Sequence, residues 1–89
     1  MAQVPDHPEF NDTLAFVYLK KQLPSLAIPP LRLAVEKAPA NPAIHYHLGL
    51  AYSQIGDKVA ARQALERALK LKADFDGADD ARKVLRTLG

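Results

Sequence analysis

Apolar side chains recur along this chain at helical spacing, and breaks fall between the stretches. Leu48, Ala51, Tyr52 and Ile55 stand at i, i+3, i+4 and i+7, which puts them on one side of a helix. Ala61, Leu65, Ala68 and Leu69 form a second such stripe, and Ala27, Leu31, Ala34 and Val35 a third. Leu14, Val17 and Tyr18, with Phe10 four residues ahead, make a fourth. A fifth joins Ala78, Ala81, Val84, Leu85 and Leu88. The stripes predict helices over about Phe10–Lys21, Pro24–Lys37, Pro42 or Ala43–Ile55, Lys58–Lys72 and Gly77–Leu88. Residues 1–9, with Pro5 and Pro8, read as a lead-in that becomes ordered near Pro8.

The breaks carry their own chemistry. Asn41 is an N-cap followed by Pro42 at the first helical position, a strong start signal. Gly56-Asp57 reads as a helix stop followed by an N-cap. The matching segment earlier in the chain is Gln22-Leu23, where glutamine would have to adopt a left-handed backbone under strain. Pro24 follows and costs about 3 kcal/mol inside a helix, so the break should persist. Pro29 and Pro30 leave two readings open. Either they bend the second helix by withdrawing the donors to Ser25 and Leu26, or the regular helix begins near Pro29. Glu66 and Lys70 are spaced for an i,i+4 ion pair. Asp76 is expected to cap the last helix, with Asp79 and Asp80 in its first turn and Gly89 at its end.

Six residues repeat 34 positions later: Pro8 and Pro42, Leu14 and Leu48, Tyr18 and Tyr52, Ala27 and Ala61, Leu31 and Leu65, Ala34 and Ala68. A 34-residue period is one helix–turn–helix unit, which cannot bury its apolar face alone and therefore stacks on a neighbour. Adding 34 to Leu48 and Tyr52 lands on Arg82 and Arg86, so the last helix is not a third copy. With one apolar and one charged face it reads as a cap.

On these residues the chain resembles the tetratricopeptide repeat family. Leu48-Gly49, Tyr52, Gly56-Asp57, Ala61, Leu65 and Ala68 stand at the motif's spacing within residues 42–75. His45 takes the place where the family often has tryptophan, and Ala73 that of its usual proline. Residues 8–41 fit through Leu14, Ala15, Tyr18, Ala27, Leu31, Ala34 and Pro39, and depart from the motif at Gln22-Leu23. The expected fold is all-α, an alpha-alpha superhelix in one domain over residues 1–89. It comprises a divergent repeat (8–41), a second repeat (42–75) and a C-terminal capping helix (76–89). The stretch from Asn11 to Leu88 also looks like the end of bacterial multi-repeat proteins, including those associated with exopolysaccharide export.

The resemblance implies recognition of a protein or peptide on a concave groove lined by the first helix of each pair. By position that groove would hold Glu9, Asp12, Thr13, Phe16, Leu19 and Lys20 from the first repeat. The second would add Ala43, Tyr46, His47, Leu50, Ser53 and Gln54. Phe16, Tyr46 and Leu50 would be the anchor patch, unless some of these side chains are packed between helices or under the cap. Family members that clamp a terminal carboxylate do so with cations. Here the corresponding places hold Asp12, Phe16 and His47, which argues against that ligand. The structural alternative is a self-associating repeat fragment, a homodimer joined at an uncapped N-terminal edge or by exchanged helices.

Composition narrows the rest. A domain of 89 residues buries somewhat more than about 60% of its unfolded surface, so its stability should be modest. The net charge of +2 and the basic helix of Lys58, Arg62, Arg67, Lys70 and Lys72 do not call for nucleic acid. Glu66 interrupts the basic run and no aromatic platform accompanies it, so a solvated face accounts for it. Cysteine is absent, which excludes disulfides and thiolate metal sites. His45 and His47 point about 200° apart on a helix and cannot easily share an ion, and the aspartates lack calcium-loop spacing. Neither a phosphate loop nor a nucleophile elbow is present around Ser25 or Ser53. No enzyme activity, cofactor, metal or membrane span is expected, and the compartment is open: cytoplasmic, or periplasmic if the chain derives from an export-associated protein.

Overall fold

The computed structural model describes residues 7–88. Gly89, expected to end the last helix, and most of the lead-in lie outside them. Five helices are present among the described residues: α1 (Pro8–Lys20), α2 (Pro24–Lys37), α3 (Pro42–Ile55), α4 (Lys58–Leu71) and α5 (Ala78–Leu88). The chain is all-helical. α1 and α2 pack as one antiparallel hairpin, α3 and α4 as the next, and α5 closes against α4 and α3. α1 touches α3 and α3 touches α5, whereas α2 and α4 do not meet. The stack therefore curves, with α1, α3 and α5 on its inner side. It measures 42 × 24 × 19 Å.

Small residues set the helix approach. Ala15, Ala27, Ala34, Ala51, Ala61 and Ala68 are fully buried, and Leu31 and Leu65 fill the spaces between them. At Gly49 an added Cβ would stand 2.6 Å from Leu65 Cγ and 3.3 Å from the Ala61 carbonyl oxygen, so α3 and α4 meet there only because it is glycine. The core has two parts. One joins Ala15, Leu19, Leu31, Ala34, Ile44, Leu48 and Ala51, and the other joins Leu65, Ala68, Phe75, Ala78 and Ala81 beneath α5.

The two hairpin turns share one hydrogen-bond design despite their different residues. At α3 the Asp57 N–H donates to the Tyr52 carbonyl at 2.9 Å, with Gly56 at φ 88°. At α1 the Leu23 N–H donates to the Tyr18 carbonyl at 2.8 Å, with Gln22 at φ 60°. Gln22 is thus held in the left-handed region that its sequence position predicted. Asn41 accepts from the Ala43 N–H at 3.0 Å and Asp57 from the Ala60 N–H at 3.1 Å, so both expected N-caps form.

Several expectations change. α1 begins at Pro8 instead of Phe10, because proline's fixed φ suits a first helical residue. α2 is continuous through Pro29 and Pro30. Ser25 and Leu26, whose carbonyls lose their donors, are exposed, so water can satisfy them. Gly77, at φ 108°, precedes α5 in place of an Asp76 cap. Glu66 and Lys70 stay exposed without forming their ion pair. On α1 the core side is Asn11, Ala15 and Leu19, while Phe10 and Val17 are 48% and 42% exposed. Their counterparts 34 residues on, Ile44 and Ala51, are covered, since α2 lies in front of α3 and, among the described residues, no helix lies in front of α1. Ile55, at the last turn of α3, also faces solvent.

Replacing Gln22 with glycine should relieve the left-handed strain, offset in part by glycine's greater freedom in the unfolded chain. A gain of about 0.5–1 kcal/mol is expected, read as a higher urea midpoint at unchanged slope.

Candidate functional site

The inner side of the stack carries a continuous row of polar and aromatic groups. Asp12 on α1 and Tyr46 on α3 occupy equivalent positions 34 residues apart, so stacking brings them into line, and Asp80, in the first turn of α5, lies within reach of Tyr46. His47 Nδ1 donates to Asp12 Oδ1 at 2.5 Å, the tautomer that a carboxylate acceptor requires. The His47 ring lies 5.3 Å from that of Tyr46 and 5.2 Å from that of Phe16, centroid to centroid. The Tyr46 hydroxyl donates to Asp80 Oδ2. The row thus runs carboxylate, imidazole, phenol, carboxylate, and ties three helices together.

Phe16 extends the row on α1. Its ring is 41% exposed, with Lys20 Nζ 5.2 Å from its centroid. At the other end the Tyr46 ring meets Phe75, which is buried, at 5.5 Å. Gly77 makes this possible, because a Cβ there would lie 2.8 Å from Tyr46 Cε2. Arg82 fastens the start of α5 by donating to the Ala73 carbonyl and pairing with Asp79 at 3.3 Å. Burial, the hydrogen bond to Asp80 and the charges of Asp80 and Asp76 together push the Tyr46 phenol well above its ordinary pKa.

Of the residues that sequence placed on the groove, Asp12, Phe16, Lys20, Tyr46 and His47 come together. Glu9 and Thr13 are exposed on α1, and Ala43 is half-buried on α3. Gln54 joins Lys20, Gln22 and Pro24 around an open cleft at the turn end of the hairpins. Ser53 is half-buried. Leu50 is half-buried against the core, and Leu19 is only 7% exposed, a core residue more than a surface one. His45 is buried and directs Nε2 to the Pro39 carbonyl at 2.8 Å, away from His47. Sequence reasoning missed Phe75, and read Asp80 only as a helix-dipole partner. The available signal was the 34-residue step from Tyr46 to Asp80.

The phenol geometry has a pH consequence. Folding favours neutral Tyr46, so its contribution is whole below the ordinary phenol value of about 10 and fades as pH rises beyond it. Tyr46→Phe should lower stability near neutrality by about 0.5–1.5 kcal/mol through loss of the Asp80 hydrogen bond. Urea melts at pH 7 and pH 10.5 should show the gap between wild type and variant narrowing at the higher pH.

No helix among the described residues is long and apolar enough to cross a membrane. No curated protein and no solved structure matches the chain. Residues 42–75, which span α3, α4 and the turn leading to Phe75, match the family model described as tetratricopeptide repeat. The matched stretch is the hairpin that carries Tyr46 and His47, and the five helices of the described residues are consistent with a tetratricopeptide-like repeat protein.

Proposed function

We propose that the chain is a non-enzymatic recognition module that holds a peptide or partner helix against the inner side of α1 and α3. Residues 8–41 serve as a divergent first repeat in this reading, 42–75 as the second, and 76–89 as the cap. Tetratricopeptide repeats generally mediate protein–protein interaction. The observation that carries the reading is Phe16: a large ring, 41% exposed, beside His47 and Tyr46 on the inner face. An aromatic anchor backed by fixed neighbours and rimmed by polar groups is the usual make-up of a binding hot spot. The shallow face of two hairpins implies weak monovalent affinity.

Tyr46 also supports α5, so its removal would confound binding with stability. Phe16→Ala is the cleaner probe. Affinity capture with the wild-type domain and this variant should show partners lost by at least about tenfold from the variant, in line with about 1.4 kcal/mol or more at a hot spot. Equal recovery by both baits would remove the inner face from consideration.

A second reading, self-association, is favoured by the front of the first hairpin. Phe10, Val17, Leu26 and Leu33 are all more than 40% exposed there. Pairing of two such fronts would bury them. Light scattering should then detect a dimer at high concentration that Val17→Lys abolishes. A monomer at every concentration would dismiss this reading.

A further inference from the structure

We propose that the inner face selects a basic segment, seating a partner's lysine or arginine over the Phe16–Tyr46 strip between the carboxylates of Asp12 and Asp80. The inference rests on the inner-face reading above and adds the chemistry of what binds there.

Charge is the first argument. Glu9, Asp12, Asp76 and Asp80 stand on or beside the row, against Lys20 over Phe16 and, at the α5 end, Lys83 one turn beyond Asp80 and Arg82, which pairs with Asp79. Among the described residues no lysine or arginine forms an ion pair with any of these four carboxylates. The chain's other basic run lies on α4, in the outer layer. The surplus of negative charge is therefore local to the inner side, in a molecule whose net charge is +2.

Acceptor capacity is the second. An ionised carboxylate offers about four lone-pair directions. Asp12 uses one for His47 and Asp80 one for Tyr46. The Asp12 side chain is only 21% exposed, so a cation arriving there is screened less than at an open surface.

The third argument is that the strip already accepts a cation. Lys20 lies over the exposed Phe16 ring at 5.2 Å, the cation–π arrangement that a partner's side chain would extend toward Tyr46. An acidic partner would meet like charge from Asp12 and Asp80 along the strip, where Lys20 is the cation over the Phe16 ring. Apolar residues flanking the partner's cation would rest on Phe16 and on the half-buried Leu50.

The test uses immobilised 12-residue peptides in which Arg, Lys, Glu and Leu are varied, probed with labelled full-length chain. Peptides with Arg or Lys beside Leu should bind at least about tenfold tighter than their Glu counterparts. Asp12→Asn with Asp80→Asn should erase that preference. Each amide oxygen can still accept from His47 or Tyr46, so the row's hydrogen bonds survive while its charge is lost. Glu66→Gln on α4 removes one charge from the outer layer and should leave the preference intact. A preference that survives the double variant, tighter binding of Glu peptides, or no binding at all would overturn the proposal. If non-basic peptides bind and Phe16→Ala releases them, the inner face stands and only its charge selectivity falls. If no binder responds to Phe16→Ala, the inner-face reading falls as well.

Discussion

Close approach of helices is the constraint on which this structure depends. A Cβ is the largest group tolerated at Ala15, Ala27, Ala34, Ala51, Ala61 and Ala68, and Gly49 tolerates none. Because the same small residues return every 34 positions, successive hairpins meet at the same depth and in the same register. Leucines then fill what the alanines leave open, at the density expected of a protein interior. The curvature follows from unequal contact, since the inner helices touch one another and the outer pair, α2 and α4, do not.

Register is what turns packing into a surface. Residues 12 and 46 are far apart in the chain, yet they line up because each is the fifth residue of its helix, and Asp80, in the first turn of α5, meets the end of that line. His47 is one residue further on and closes the gap to Asp12, and Tyr46 closes the gap to Asp80. The same contacts that hold α5 in place also shape the inner face. Tyr46 serves both ends, packing on Phe75 while it abuts His47. The shape of the inner face and the anchoring of α5 are therefore coupled through one side chain, whereas Phe16 stands outside that coupling.

The helices were largely legible because their limits are written locally. Asn41-Pro42 and Gly56-Asp57 need nothing beyond their own neighbours to start or stop a helix, and even the strained Gln22 was visible as a missing glycine. What could not be read depended on distant partners. Phe75 is buried only because α5 folds back over it, so an aromatic in an aspartate-rich turn looked unremarkable. Phe10 and Val17 share an apolar stripe with Leu14 and Tyr18, but a stripe says only that a helix has an oily side, not that a neighbour covers it. On the inner face, position predicted which residues would gather, and missed that Leu19 turns inward and that Asp80 completes the row.

The two ends of the stack are chemically unlike. The outward side of α5 displays Asp79, Arg82, Lys83 and Arg86, while the opposite end displays Phe10, Val17, Leu26 and Leu33. Among the described residues, a further hairpin stacked on this fold would find large exposed apolar side chains at the Phe10–Leu33 end and charged ones on α5. If two molecules met oily end to oily end, both apolar fronts would be covered together.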